Sequence, residues 1–107
     1  MTKRPRVRWS ARARDDLLSI GRYIAAENPR AARIWVEKLR LRANDAAQSP
    51  LSGRRVPEIS REDIRETLLG SYRIVYRVVK GYINIVTVFE GHRLLPDNLD
   101  ISKDKEP

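Results

Sequence analysis

The spacing of apolar residues changes period twice along the chain. "RVRW" alternates, with Val7 and Trp9 on one parity and Arg6 and Arg8 on the other, which predicts a short first strand. From Ser10 the period becomes helical. Ser10 is a good N-cap residue. Ala13, Leu17, Ile20 and Ile24 then form one stripe, with Leu18 beside it. Asp15 and Asp16 fall in the early turns, where the helix dipole favours anions. Asn28 and Pro29 restart the pattern as cap and first helical residue. Ala32, Trp35, Leu39, Ala43 and Ala46 make a second stripe, widened by Val36 and Ala47, and Ser49-Pro50 closes it. Two helices on so short a link predict an antiparallel hairpin.

Over "LSGRRVPEISRED" the pattern lapses, and Gly53 and Pro57 punctuate an irregular segment. Alternation returns in "IRETLL", breaks at Gly70-Ser71, resumes in "YRIVYRVV", turns at Lys80-Gly81 and ends in "YINIVTVFE". Connections this short predict antiparallel neighbours. The predicted order is strand–helix–helix–strand–strand–strand. That is an α+β fold: a small antiparallel sheet with an N-terminal helical hairpin packed on one face. The opposite face is expected to be exposed or reserved for a partner. Residues 1–96 are expected to form one domain, and 97–107, "DNLDISKDKEP", a polar tail that is frayed or becomes a short helix on binding.

Composition narrows the class. A chain of 107 residues, 41% hydrophobic, suits a single modest core. Lys and Arg number 22 against 14 Asp and Glu, a net charge of +8. That excess predicts an acidic partner, nucleic acid or protein, without choosing between them. The absence of cysteine excludes disulfides, thiol nucleophiles and cysteine metal sites. "MTKRPRVRW" has no apolar segment behind it, so no secretory signal is expected. No run reaches the length of a membrane span. These features fit a soluble protein of the reducing cytoplasm.

The candidate chemistry is mostly arginine. Tyr72, Ile74, Tyr76 and Val78 share one face of their strand, and Arg73, Val75, Arg77 and Val79 the other. Arg65 lies in the strand before, and Arg93 follows the last strand. With a turn at Gly70-Ser71, Arg65 and Arg73 are expected to be neighbours, and the four arginines to converge on one sheet face or rim. Such a set binds phosphate, or receives an acidic peptide, through paired hydrogen bonds. The competing reading makes Arg73 a structural residue bridging strands and Arg77 an exposed sheet residue. His92, the single histidine, titrates near neutral pH and suits acid–base work. Tyr72, Tyr76 and Tyr82 suit base stacking, or packing with a wet tip. Glu58, Glu62 and Glu66 form no paired-carboxylate motif. No phosphate-binding glycine loop, zinc-protease pair or Ser-x-x-Lys motif is present. Basic residues also recur on the first helix, at Arg12, Arg14 and Arg22.

"WSARARDDLLSIGRYIAAENPRAA", "SPLSGRRVPE", "IRE", "SYRIVYRV" and "VFEGHRLL", in this order and spacing, resemble the RelE/ParE superfamily of bacterial toxins. The similarity runs from Trp9 to Leu95 and is greater to the ParE-like, plasmid-stabilisation branch. The resemblance implies a small antiparallel sheet with a helical hairpin, and a type II toxin–antitoxin function without cofactor or metal. It implies a ParD-like antitoxin that wraps the toxin with an acidic or amphipathic segment, gripping the helical hairpin in a hetero-oligomer. The ParE branch implies poisoning of DNA gyrase. The RelE branch implies ribosome-dependent cleavage of messenger RNA. Arg73 and Arg93 match the phosphate-handling arginines of those nucleases, and His92 lies where some relatives use a histidine. The lysines and the late tyrosine of the archetypal nuclease have no counterpart here. Arginine stays charged and shuttles protons poorly. The expectation is therefore a binding toxin rather than an enzyme, with Arg65, Tyr72, Arg73, Arg77 and Arg93 facing the target or the antitoxin. If it is a nuclease, Arg73, His92 and Arg93 are the catalytic candidates.

Overall fold

The computed structural model describes residues 6–101. Strand β1 (Arg6–Trp9) leads into helices α1 (Ala11–Ala25) and α2 (Pro29–Gln48). A single 3-10 turn at Pro50–Ser52 precedes β2 (Arg54–Arg55), β3 (Ile64–Leu69), β4 (Tyr72–Val79) and β5 (Tyr82–Glu90). Both helices start where side-chain chemistry says they should. Ser10 accepts a hydrogen bond from the Ala13 amide and Asn28 one from the Ala31 amide, each at 3.0 Å. The two hairpin turns rest on Gly70 and Gly81, at φ +57° and +87°, where a β-carbon is strained.

The strands form one sheet in the order β1-β5-β4-β3-β2. Two expectations need correction. The sheet is mixed rather than wholly antiparallel, because β1 pairs parallel with β5, from Arg6 opposite Tyr82 to Trp9 opposite Ile85. Tight turns dictate direction only between strands they join, and no turn joins these two. There is also a fifth strand. Arg54 and Arg55 pair with Glu66 and Arg65 in a segment expected to be irregular. Two residues are too few to show alternation.

The helices cover one face of the sheet. Leu39, Ala43, Ile74, Tyr76, Ile83 and Ile85 are completely buried between the layers. Small residues at 43, 46 and 47 let α2 lie close. The buried Tyr76 hydroxyl donates to the Pro50 carbonyl at 2.7 Å, so its polar tip is satisfied. Leu18, beside the apolar stripe of α1, stays 56% exposed.

Asp16 does more than complement a helix dipole. Its carboxylate accepts from the Thr87 hydroxyl and from the Val88 amide at 3.1 Å. Nearby, the β4–β5 ladder shifts register between Val75 and Tyr76. The Ser10 hydroxyl donates to the Val86 carbonyl at 3.1 Å, and the Ser10 amide to the Ile85 carbonyl at 3.0 Å. The polar groups of an irregular stretch of β5 are thus met by the first turns of α1.

The second face of the sheet, expected to be exposed or reserved for a partner, is covered at its centre by the chain itself. Val56, Ile64, Val75 and Val86 are buried there beneath Ile59, Phe89, Leu95, Leu99 and Ile101. The covering comes from Phe89 of β5, from the irregular segment 56–63 and from the chain after β5. Residues 97–101 of the expected polar tail are irregular rather than helical, and they contribute Leu99 and Ile101 to this cluster. Arg61 donates to the Ile101 carbonyl at 2.7 Å while its guanidinium grips Asp63, and Arg12 reaches Asn98 at 3.0 Å. The rest of the tail, 102–107, lies outside the described residues.

Candidate functional site

The expected convergence of strand arginines does not occur. Arg65 lies opposite Tyr76 and Arg73 opposite Leu68. Directly opposed residues share a face. Arg65 therefore belongs to the side of the helices and Arg73 to the other. Arg65 braces the irregular segment, donating to the Leu51, Gly53 and Glu62 carbonyls and pairing with the Glu62 carboxylate. Tyr72 sits on the helix side, edge-on to Trp35 at 5.7 Å. Burial, with Glu90 and Tyr23 nearby, holds its hydroxyl above the ordinary tyrosine range. Arg77 is buried on the second face, opposite Ile64 and Asn84. Arg93 and His92 are exposed on the turn after β5, with Arg93 3.8 Å from Glu90.

Arg73 is the centre of a network that the sequence concealed. Its Nε donates to Glu66 at 2.7 Å, and its two terminal nitrogens grip both oxygens of Glu58 at 3.0 and 2.9 Å. The guanidinium also lies over the Phe89 ring, 4.9 Å from its centroid. Glu66 is fully buried and receives a further hydrogen bond from Arg54. The hydrogen bonds from Arg73 hold the Glu58 carboxyl below the usual range, and the Arg73 pKa is raised in return by Glu58 and Glu66. Paired carboxylates do exist here, but they clasp an arginine instead of facing one another.

A different set of arginines lines a groove formed by β1 and the two helices. Its apolar surface comes from Val7, Trp9, Leu17, Leu18 and Val36, and its volume is about 1440 Å³. Arg14, Arg22, Arg33 and Arg40 stand around it, with Glu37 as the one acidic residue; Arg8 borders it from β1, but its guanidinium lies over the Tyr82 ring on the second face. All five arginines are exposed. Arg14 and Arg22 were visible as a basic recurrence on the first helix. Their meeting with Arg33 and Arg40 depends on how α2 lies against α1, where Gly21 leaves room for Val36. No spacing along the chain announces it.

The family model described as "ParE toxin of type II toxin-antitoxin system, parDE" matches residues 7–95. The chain belongs to this ParE toxin family. It is also 34% identical over 100 residues to a protein named "Putative toxin Y4kP" from Sinorhizobium fredii (strain NBRC 101917 / NGR234), covering 90% of this chain and 98% of that relative. Two solved structures are similar in fold. One is described as the chromosomal ParDE TA system from P. aeruginosa, with TM-score 0.67 and 20% identity over 81% of this chain and 96% of that one. The other is the toxin–antitoxin complex RelBE2 from Mycobacterium tuberculosis, with TM-score 0.56 and 26% identity over 82% and 99%. This ParE-family toxin carries both the Arg73 network and the groove within its matched span. Leu99 and Ile101, which help cover the second face, lie beyond it.

Proposed function

We propose that this ParE-family toxin acts by binding. It would inhibit DNA gyrase, stabilising the cleaved DNA complex, and be neutralised in the cytoplasm by a ParD-like antitoxin in a hetero-oligomer. The arginine-rimmed groove carries the antitoxin part of this reading. An acidic amphipathic segment matches it twice, apolar side chains to Val7, Trp9, Leu18 and Val36, carboxylates to Arg14, Arg22, Arg33 and Arg40. The groove exceeds the roughly 300–1,000 Å³ typical of small-molecule pockets. Strand β1 stands at the end of the sheet order, which leaves backbone groups on its outer edge for an extended partner.

The gyrase part rests on family membership and on what the phosphate-handling candidates lack. Arg73 is buried and clasped by two carboxylates, and His92 stands on an exposed turn. Proton transfer in a nuclease needs a positioned acid and base. A supercoiling assay with purified toxin tests this part: inhibition is expected at concentrations that arrest growth, and an unaffected gyrase refutes it. The likeness to the RelBE2 complex favours one competing reading, a ribosome-dependent endoribonuclease. New A-site cleavage of a defined messenger on translating ribosomes, abolished by His92→Ala, would replace the gyrase reading.

A further inference from the structure

We infer that two copies of this chain pair through α2, antiparallel, about a two-fold axis that passes between Glu37 and Lys38. The inference goes beyond the proposed function and requires neither gyrase nor antitoxin. It begins with two apolar side chains in water. Ile34 is 50% exposed and Leu41 52%. They stand two turns apart on the side of α2 that faces away from the buried Leu39 and Ala43. Beyond them the same exposed stripe carries charges of opposite sign at equal distances. Arg30 lies one turn before Ile34, and Asp45 one turn after Leu41. Two such helices laid antiparallel set Ile34 of one copy on Leu41 of the other and bring Arg30 beside Asp45 at both ends. A parallel pair would oppose Arg30 to Arg30 and Asp45 to Asp45, so the charges select the antiparallel arrangement. At 20 residues α2 is about 30 Å long and holds the whole pattern.

A second copy fits this stripe better than an acidic segment does. The groove is rimmed mainly by arginine, whereas the stripe carries both signs. Among the described residues Arg30, Glu37 and Asp45 make no ion pair within the chain, and Lys38 lies over the Trp35 ring at 5.4 Å. Glu37 and Asp45 repel an acidic segment, while the same helix reversed supplies the complement of each end. The pairing also has a consequence for the grooves. Arg33, Val36 and Arg40 line the groove on one side of the stripe, and Trp35 and Arg42 face the β3–β4 turn on the other. A two-fold axis across α2 preserves these sides, so both grooves open on the same side of the pair. Glu37 of each copy comes to the midpoint on that side, where Arg33 and Arg40 of its own helix offset its charge. Two apolar side chains per copy make a small interface, so the pairing is weak and concentration-dependent.

The test is sedimentation velocity of the purified full chain over about a hundredfold range of concentration, where mass action should raise the mean mass toward that of two chains. Ile34→Gln/Leu41→Gln should stay monomeric throughout with its unfolding midpoint unchanged. Asp45→Arg alone sets like charges against each other at both ends and should weaken pairing about fivefold, whereas the swap Arg30→Asp/Asp45→Arg should restore it. The chain has no cysteine, so one introduced thiol reports the geometry. Under mild oxidation Glu37→Cys should crosslink to its mate across the axis. Arg30→Cys should not, because its mate lies about 22 Å away along the helices. A chain that stays monomeric, a Gln/Gln variant that still pairs, or a swap that restores nothing overturns the proposal. So does an uncrosslinked Glu37→Cys or a crosslinked Arg30→Cys.

Discussion

The arginines of the groove and those of the central strand are the same side chain put to opposite uses. Arg14, Arg22, Arg33 and Arg40 stand in water around apolar surface, with one glutamate among them. Arg73 and Arg77 are 7% exposed, and Arg73 is surrounded by carboxylates of its own chain. A net charge of +8 says nothing about this division. The lesson is that net charge does not separate arginines already paired inside the fold from those whose guanidinium groups stand exposed among the described residues; only tertiary structure does.

The comparison predicts a ranking of damage. Removing Glu66 strands Arg73 and Arg54 beside a fully buried site, so Glu66→Ala should cost about 3–5 kcal/mol in a denaturant titration. A loss below about 1 kcal/mol would put Arg73 in the same class as the groove arginines. The double reversal Arg33→Glu/Arg40→Glu should leave the unfolding midpoint nearly unchanged, while association with the antitoxin slows by about tenfold to a hundredfold. Surface plasmon resonance at two salt concentrations separates this loss of steering from misfolding. Ser10 ties the groove to the sheet, since it caps α1 beside the groove and bonds to β5. Ser10→Ala should lower stability by about 1 kcal/mol and weaken antitoxin binding too.

The smallest effect concerns pH. Glu58 has its pKa depressed in the folded chain by Arg73. Its contribution is therefore present above the unfolded carboxyl range and is lost as pH falls through the folded value, below the ordinary 4.5. Comparing Glu58→Gln with the parent chain, the acid limb of the stability curve should flatten in the variant while the neutral plateau drops only slightly, as suits a partly exposed pair. A variant with an unchanged acid limb would show that Glu58 holds Arg73 only weakly.

Much of the fold was legible because its signals are local. Ser10, Asn28, Pro29, Gly70 and Gly81 act within a few residues of themselves, and the stripes of α1 and α2 follow helical spacing. What stayed hidden was pairing at a distance. The direction of β1 against β5, and the placing of Arg65 and Arg73 on opposite faces, are set by register. Leu95, Leu99 and Ile101 keep neither a strand nor a helix period, so their packing on the second face left no pattern to read. The Glu58–Arg73–Glu66 cluster joins the β3–β4 hairpin to the irregular segment before it, and the groove exists only once α1, α2 and β1 are in contact.

The bonds from Asp16 and Ser10 to β5 have a mechanical consequence. They fasten the first turns of α1 at four backbone or hydroxyl positions of one strand, Ile85 to Val88. A helix fastened there cannot slide along the sheet. Farther along, Gly21 lies against Val36 and Ile20 packs on the core, so α2 and the sheet hold the second half of α1. The apolar floor between α1, α2 and β1 is consequently a preformed template. A partner should bind it in one step, without first reordering the helices.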